Sequence, residues 1–510
     1  MQRTFRLAGG ALMATGLAMA QDCAKMSALT LPQTTVRSAA LVAAGEFSAP
    51  GRAGSGANGA MYKKLPAFCR VALTIAPSSD SEIKVEVWLP ASGWNGKLQA
   101  VGNGGWTGSI GYPALARAVS RGYAAASTNT GHDGDSAEFA LGHPEKLIDF
   151  AWRAVHEMTV ESKAVVNAFY GNPAKYSYWN GCSSGGKQAL KEAQRFPDDF
   201  DGIIAGAPAN NWVHQKASVV AVSQAVHKDA DSFIPNAKYA VIHKAVLAKC
   251  DALDGVEDGI LMEDPTRCVF DPGALECKGG DGPECLTKPQ VVAARRIYAP
   301  SHNPRSGAFL FPGLAPGSEL AWETQAGTDP RKVAVDLFMY VVFRDPMWDY
   351  MTLDLDKDVA LADKVDNGQM AAVDPNLKPF FSHNGKLLMY HGWADPNIVP
   401  GNSINYYKSV VDTVGEENAA DAIRLFMVPG MGHCSGGEGP NDFDVVGSLE
   451  QWVEKGKTPA KMIASKMKDG AAVRTRPLCP YPQVATYKGS GSSDDAANFS
   501  CAAPKGQGGH

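Results

Sequence analysis

The chain has 510 residues, a formal net charge of −5 and 45% hydrophobic residues. A chain of this length and composition is neither disordered nor fibrous, and it is expected to fold into roughly two or three domain-sized units. The small net charge, without a basic stripe, argues against nucleic acid as a partner. We therefore expect the partner to be a small molecule.

The N-terminal segment 1–20 has the pattern of a secretory signal peptide. Arg3 and Arg6 form a short positive region, residues 7–17 are apolar, and a small-x-small cleavage motif follows. The apolar run is too short to span a bilayer, and no other uncharged apolar stretch of about 18 residues occurs. We predict export without a membrane anchor and a mature chain that starts at Gln21. The alternative interpretation is a buried N-terminal helix.

Strand and helix patterns alternate through the first half of the chain. Alternation of apolar and polar residues predicts strands over 68–75 and 83–89, and short apolar runs predict strands at 98–101 and 123–127. A long helix is expected over 150–170. Such alternation is typical of an α/β fold with a mostly parallel sheet and right-handed crossovers.

A candidate nucleophile lies in the segment 176–187. Strand-favouring aromatic residues lead into the motif Gly181-x-Ser183-x-Gly185, and a helix is expected directly after it. Strand, sharp turn and helix is the context in which this motif forms a nucleophile elbow. Glycines let neighbouring elements approach while the hydroxyl of Ser183 stays exposed at the turn. The pentapeptide alone is a modest signal, and its context favours the elbow.

Asp395 and His433 are the expected partners of Ser183. Strands predicted at 387–390 and 422–428 lead into the loops that carry them. A serine hydroxyl needs a histidine to take its proton and a carboxylate to orient that histidine. The chain order Ser, Asp, His, with acid and base after strands, is that of α/β hydrolases. Isolated residues of these types are more often turn formers or surface residues.

A glycine-rich turn, 102–106, follows the predicted strand at 98–101. Its spacing is neither the dinucleotide-binding nor the P-loop pattern. In a hydrolase of this type, the equivalent turn supplies a backbone amide to the oxyanion hole. We therefore expect the amide of Gly104 or Gly105 to act together with that of Ser184; taken alone, the feature is an ordinary turn.

The regular alternation of predicted strands and helices stops between residues 210 and 383. Helical runs there mix with Cys- and Gly-rich loops. We interpret 210–383 as an inserted lid domain, and 21–209 with 384–510 as the catalytic domain.

The ten cysteines of an exported chain are expected to be mostly paired. Connectivity does not follow from sequence alone. Proximity favours three local pairs, which are Cys250 with Cys268, Cys277 with Cys285, and Cys479 with Cys501.

Two further cysteines flank the candidate catalytic residues. Cys182 precedes the serine and Cys434 follows the histidine. If serine and histidine are in contact, these cysteines lie within the Cα separation of about 4.4 to 6.8 Å that a disulfide needs. By elimination, Cys23 then pairs with Cys69. The alternative is that Cys182 is a buried thiol or a competing nucleophile.

These motifs together resemble the tannase and feruloyl esterase family, which also contains a bacterial hydrolase of mono(2-hydroxyethyl) terephthalate. The family hallmark is a Cys-Ser, Asp, His-Cys constellation whose cysteines are joined, and here it corresponds to Cys182-Ser183, Asp395 and His433-Cys434. The resemblance covers nearly the whole mature chain. It implies an α/β-hydrolase core, a large lid, and hydrolysis of esters of aromatic carboxylic acids.

An acidic loop at 251–260 is a candidate cation site. Carboxylates along a glycine-broken loop can surround a hard cation, although the spacing is not that of an EF-hand. The resemblance implies a structural calcium ion bound by Asp251, Asp254, Asp258 and the carbonyls of Val256 and Ile260. Without the resemblance, the loop would be interpreted as a solvated acidic turn.

The lid is expected to supply an aromatic pocket for the acid. Candidate residues of the wall are Trp106, Phe338, Tyr340, Phe343 and Trp348, although clustered aromatic residues are more often core. Arg344 is a candidate cation for a free substrate carboxylate. His391 resembles a family residue near the substrate.

We predict a secreted feruloyl-esterase-like hydrolase with a Ser-His-Asp triad and an acyl-enzyme. A tannase and a terephthalate monoester hydrolase are the alternatives that change only the substrate. A non-catalytic, calcium-dependent binding protein and a thiol enzyme using Cys182 are alternatives of a different class. The natural ester and the oligomeric state stay open, with a monomer expected.

Overall fold

The structure, a computed structural model, describes residues 22–50, 56–261, 264 and 267–504. The predicted signal peptide and Gln21 lie outside the described residues. The chain divides into two compact units. The first contains the described residues up to Asp135 together with Gly142–Asn180 and Asp198–Asp201, and the second contains Ser136–Leu141, Gly181–Pro197 and the described residues from Gly202 onwards.

The first unit is built on strands that lie in the order β1-β2-β3-β5-β4-β6. The strands are β1 (Thr34–Val42), β2 (Phe68–Ile75), β3 (Ile83–Pro90), β4 (Lys97–Val101), β5 (Ala124–Thr128) and β6 (Tyr176–Cys182), of which the last two residues belong to the second unit. The helices are α1 (Gly56–Tyr62), α2 (Tyr112–Ser120), α3 (Pro144–Ile148) and α4 (Ala154–Tyr170). The strands and the long helix predicted from sequence are confirmed within a few residues.

The expectation of a mostly parallel sheet is only partly right in the first unit. β4 pairs in parallel with both β5 and β6. The other pairs, β1 with β2, β2 with β3 and β3 with β5, are antiparallel. The connection from β2 to β3 has only a few residues, and a parallel crossover needs about a dozen or more. A short connection therefore dictates an antiparallel pair.

The second unit contains the strands that carry the candidate acid and base. Its strands are β7 (Gly202–Gly206), β8 (Ser301–His302), β9 (Phe309–Phe311), β10 (Lys386–Gly392), β11 (Ile423–Val428), β12 (Met462–Lys468), β13 (Ala471–Leu478), β14 (Val484–Tyr487) and β15 (Phe499–Ala502). β10 pairs in parallel with both β7 and β11. β7 and β10 are buried throughout, which explains their almost uninterrupted apolar sequences.

Helices dominate the segment between β7 and β10. The helices of the second unit are α5 (Ser184–Arg195), α6 (Trp212–Val226), α7 (Asn236–Cys250), α8 (Lys288–Tyr298), α9 (Glu323–Ala326), α10 (Lys332–Asp336), α11 (Lys357–Asp366), α12 (Lys378–Ser382), α13 (Pro400–Val414), α14 (Glu416–Ala420) and α15 (Val445–Lys455). α6, α7 and α8 contribute to a common apolar cluster around Trp322. This segment thus lies in the chain between two strands that pair with each other, and its status as a separate inserted domain stays a prediction. Its function as a lid stays a prediction.

Five disulfides are present, and they are the five predicted pairs. Three of them join cysteines that are close in the chain, two in the insertion and one near the C terminus. Among the described residues, no helix combines the length and the apolar character needed to cross a bilayer.

Candidate active site

Ser183 occupies the turn between β6 and α5, as the elbow motif predicts. Its backbone has φ 64° and ψ −121°, a conformation that costs free energy for a residue with a side chain. Hydrogen bonds hold it there: its amide donates to the carbonyl of Gly206 at 3.0 Å, and its carbonyl accepts from the amides of Lys187 and Ala209 at 3.0 and 3.1 Å. The turn is therefore locked on both sides of the serine.

Gly181 of the motif and Gly186, which directly follows it, are required by close backbone approaches. A Cβ atom on Gly181 would lie 2.4 Å from the carbonyl oxygen of Gly185, and one on Gly186 would lie 2.4 Å from that of Gly206. No real Cβ atom comes so close to a backbone oxygen. Strand, turn and helix can pack this tightly only because these positions lack side chains.

The candidate acid and base meet at the ends of β10 and β11. Nδ1 of His433 lies 2.8 Å from Oδ2 of Asp395. The other carboxylate oxygen accepts hydrogen bonds from the amides of Asn397 and Ile398 at 2.7 and 3.1 Å. Asp395 is fully buried, whereas the side chain of His433 keeps 20% of its surface exposed. This arrangement orients the imidazole and leaves part of the ring accessible.

His391 also contacts the candidate acid. Its Nε2 lies 3.2 Å from Oδ2 of Asp395 and 2.7 Å from the carbonyl oxygen of Ile398, while Nδ1 lies 2.7 Å from the hydroxyl of Ser403. Burial alone would raise the pKa of Asp395, but hydrogen bonds from His391 and His433 hold it well below its usual value. The carboxylate is thus kept ionised beside the base.

The position of His391 differs from the sequence-based expectation of a residue beside the substrate. The side chain is fully buried and both ring nitrogens are engaged by protein groups. It therefore reaches a ligand only through Asp395. Its spacing of four residues from Asp395 was the one signal of this contact in the sequence.

The disulfide between Cys182 and Cys434 joins the turn of the serine to the loop of the histidine. The two Cα atoms are 6.0 Å apart across a separation of 252 residues. Because each cysteine is the direct neighbour of a candidate catalytic residue, the bridge keeps Ser183 and His433 close together. All ten cysteines lie in the described part of the chain and none is free. A thiol mechanism at Cys182 is thereby excluded.

The expected oxyanion donors lie in different units. Ser184 is the first residue of α5 and is almost fully buried. Gly104 and Gly105 belong to the first unit, where the amide of Thr107 donates to the carbonyl of Gly104 at 2.8 Å and Gly105 has φ 50°. The turn after β4 is therefore real, and its participation in an oxyanion hole stays a prediction.

A cavity of about 320 Å³ borders His433 within the second unit. Most of the side chains that line it are apolar, and they come from the insertion and from the loops after β10 and β11. They include Leu247, Ile260, Leu261, Leu320, Trp393 and Pro396. An apolar cavity of this size beside a histidine is typical of a small-molecule site.

The pocket residues expected from sequence do not line this cavity. Trp106 is 1% exposed and packs on Phe150 with ring centroids 4.7 Å apart, so it is core of the first unit and not a wall. Phe343 does belong to an aromatic cluster, with centroids 6.3 Å from Phe338 and 5.2 Å from Trp348. The neighbouring Arg344 is exposed on the surface, with φ 56°.

The acidic loop 251–260 offers oxygen atoms that lack partners. Oδ1 of Asp251 is buried and accepts no hydrogen bond from the described residues. The carbonyls of Val256 and Ile260 likewise accept none from this part of the chain. Buried oxygens without donors are what a hard cation would satisfy. These oxygens are of the type that calcium prefers, and a calcium ion in the loop stays a prediction.

Two further carboxylates of the loop, Asp254 and Asp258, are already hydrogen-bonded. Oδ1 of Asp254 accepts the amide of Val256 at 2.9 Å, and Oδ1 of Asp258 accepts the amide of Ile260 at 3.1 Å. The second oxygen of Asp258 forms an ion pair with the buried Arg476. A bound cation would have to share Asp258 with this arginine.

A family model described as tannase and feruloyl esterase matches residues 69–502. An uncharacterized esterase of Xanthomonas campestris is 40% identical, over 96% of this chain and 93% of its own length. A probable feruloyl esterase B-1 of Aspergillus fumigatus is 37% identical, over 85% of both chains.

Solved structures are also similar to this chain over most of its length. Feruloyl esterase B from Aspergillus oryzae superposes with a TM-score of 0.89 at 32% identity, covering 95% of this chain and all of that one. Tannin acyl hydrolase from Aspergillus niger superposes with a TM-score of 0.79, covering 95% of each chain. At 23% identity, the second likeness shows the α/β-hydrolase fold alone.

Proposed function

We propose a mechanism and a substrate class for this chain, which belongs to the tannase and feruloyl esterase family and is a carboxylic ester hydrolase. Ser183 is the nucleophile, His433 the general base and Asp395 the residue that orients the base. The observation that carries the proposal is the 2.8 Å contact between His433 and Asp395, on a loop that a disulfide joins to the turn of Ser183. The elbow conformation of Ser183 supports it.

Acylation follows from these positions. His433 removes the proton of Ser183, whose oxygen attacks the ester carbonyl carbon. The negative charge that develops on the carbonyl oxygen is held by the amide of Ser184 and that of Gly104 or Gly105. The protonated His433 then gives its proton to the leaving alcohol, and the acid stays bound to the serine as an acyl-enzyme.

Deacylation uses the same base. His433 takes a proton from water, the hydroxide attacks the acyl carbon, and the proton returns to the serine oxygen as the carboxylic acid leaves. The ionised Asp395 stabilises the imidazolium in both steps. Its depressed pKa suits this function, because the carboxylate keeps its charge while the imidazole is protonated.

The substrates we propose are esters of hydroxycinnamic acids such as ferulate. Relatives named feruloyl esterase over most of the chain support this class. The aromatic cluster of Phe338, Phe343 and Trp348 in the insertion is the candidate wall for a flat ring. Galloyl esters and mono(2-hydroxyethyl) terephthalate are the alternatives.

We further propose a structural calcium ion in the loop 251–260 and a lid formed by 210–383, over a catalytic domain made of 21–209 and 384–510. A cation there would neutralise the loop carboxylates and tie the chain near the cavity together. Export from the cytoplasm is part of the proposal, and five disulfides are in keeping with an oxidising compartment.

The test compares the wild-type protein with Ser183→Ala on methyl ferulate, methyl gallate and mono(2-hydroxyethyl) terephthalate. We expect the variant to lose at least about a thousandfold in kcat. Ser306→Ala, at an exposed serine between β8 and β9, is the matched control. Equal rates for wild type and Ser183→Ala would refute the nucleophile. Absence of turnover and of labelling by a fluorophosphonate would favour the non-catalytic binding protein.

A further inference from the structure

His243 of α7 lies between two carboxylates. Its Nδ1 is 2.8 Å from Oε2 of Glu319, and its Nε2 is 2.9 Å from Oε2 of Glu438. Between two carboxylates, the doubly protonated imidazolium is the form of the ring that donates a hydrogen bond to each of them. The geometry therefore favours an imidazolium ion, and the side chain of His243 is only 8% exposed.

One end of this bridge is anchored in the insertion. Glu319 is fully buried and precedes α9. Besides His243, it accepts the hydroxyl of Tyr298 at 2.7 Å and the amide of Gly317 at 2.8 Å. With several donors around it, the carboxylate holds His243 from a fixed position.

The other end lies on the loop of the catalytic base. Glu438 comes five residues after His433, and its side chain is half exposed. The loop between them is compact: the amide of Gly432 donates to the carbonyl of Gly436 at 3.2 Å, and a Cβ atom on Gly437 would lie 2.2 Å from the carbonyl oxygen of Gly430. Because the loop is compact, a displacement of Glu438 would also displace His433.

The loop is thus held at two ends. Cys434 ties it to the turn of the serine, and Glu438 ties it to α7 through His243. Lys466 of β12 adds a hydrogen bond to the carbonyl of Gly437. His433 directly precedes Cys434, so it adjoins the short segment 434–438 that the disulfide and the ion pair hold at its two ends.

We propose that His243 is a positioning residue for ester hydrolysis: its charge bridge between Glu319 and Glu438 holds the loop on which His433 meets Asp395. The inference rests on the proposed function of His433 as the base. A bridge that is merely structural would contribute to stability and leave the chemistry of the remaining folded protein unchanged. A positioning function predicts that loss of the bridge lowers kcat, whereas a merely structural function predicts an unchanged kcat.

The charge of His243 gives the bridge a pH dependence. Burial would lower the pKa of His243, but hydrogen bonds to Glu319 and Glu438 raise it to about 9. Lys466 faces the outer carboxylate and, with His243, helps to lower the pKa of Glu438. Because the folded value is raised, the stabilisation is complete below the unfolded pKa of about 6.5 and is lost as pH rises through about 9.

The experiment measures kcat and KM of the full chain on methyl ferulate, or on whichever of the three esters above it cleaves, as a function of pH. His243→Gln cannot carry a charge, so we expect kcat at pH 7 to fall by about tenfold to a hundredfold. Because His243 also borders the cavity beside His433, the diagnostic readout is the pH dependence of kcat. The decline of wild-type kcat near pH 9 should be absent in this variant. His243→Lys restores a cation, and we expect it to recover most of kcat and to move the alkaline decline above about pH 10.

His214→Gln is the matched control. Nε2 of His214 lies 3.0 Å from Oδ2 of Asp363, so this histidine also pairs with a carboxylate in the second unit, but neither residue is on the loop of the base. We expect wild-type kcat and a wild-type pH profile. Glu438→Gln removes only the half-exposed end of the bridge, and it tests the proposal if His243→Gln fails to fold. We expect this variant to show the same loss of kcat and the same absence of the alkaline decline.

Wild-type kcat and an unchanged alkaline profile in folded His243→Gln or Glu438→Gln, with only a lower melting temperature, would overturn the proposal. That result is distinct from failure of the proposed function. In the latter case, the wild type has no activity or Ser183→Ala keeps it.

Discussion

Nε2 of His391 lies 3.2 Å from the carboxylate of Asp395, and the two fully buried residues stand four positions apart where β10 ends. The carboxylate of Asp395 is therefore in contact with two histidines, His391 and the proposed base His433. Such a contact affects the chemistry through Asp395, without a direct contact with the ester.

We expect His391→Phe to lower kcat by about tenfold or more and to change KM by less than about twofold, because the carboxylate loses a hydrogen-bond donor while the binding surface is untouched. Steady-state kinetics on methyl ferulate provide the check. Ser403→Ala, which removes only the partner of Nδ1, is the control and should have a smaller effect. A large rise in KM with normal kcat would instead support the sequence-based expectation of a residue beside the substrate.

Asp395→Asn should abolish most activity without unfolding the protein. The amide cannot stabilise the imidazolium of His433, and we expect kcat to fall by about three to four orders of magnitude. The melting temperature and kcat are measured together. Asp363→Asn, at an exposed carboxylate that also pairs with a histidine, should keep normal activity. An Asp395→Asn variant within tenfold of the wild type would mean that another residue orients the base.

Removal of the bridge between Cys182 and Cys434 should reduce activity more than removal of another disulfide. We expect the double alanine variant to lose about 2 to 5 kcal/mol in the free energy of unfolding, and the folded fraction to show a lower kcat, since nucleophile and base are no longer tied together. The double alanine variant of Cys277 and Cys285 is the comparison, because that bridge closes a loop of 8 residues in the insertion. Similar kcat losses in both variants would argue against a positioning function of the first bridge.

Chelation of calcium should lower the melting temperature. In the proposed site, a calcium ion satisfies the unpartnered oxygen of Asp251 together with the carbonyls of Val256 and Ile260. We therefore expect the transition to shift down in EDTA and to recover with Ca²⁺ but not with Mg²⁺. Calorimetry measures this independently of activity. Asp251→Asn should abolish the response, whereas Glu257→Gln, an exposed residue of the same loop, should keep it. A wild-type transition that is insensitive to both chelator and Ca²⁺ would rule out the site.

Much of the fold and part of the site could be predicted from the sequence. The alternation of strands and helices, the elbow at Ser183 and the insertion between β7 and β10 are encoded by local patterns and by residue order. The pairing of Cys182 with Cys434 was also predictable, because each cysteine adjoins a residue of an expected triad. Such features depend on neighbours in the chain, and neighbours can be recognised without a structure.

The tertiary structure decided which distant side chains meet. His243 contacts Glu438 across 195 positions and Glu319 across 76, and no local pattern marks any of the three. Trp106 was expected to contact the substrate, yet packing in the first unit buries it. Burial and long-range ion pairs depend on how whole elements pack, so the sequence determined the expected chemistry of the triad, and only the structure placed the charged contacts of His243 on the loop of His433.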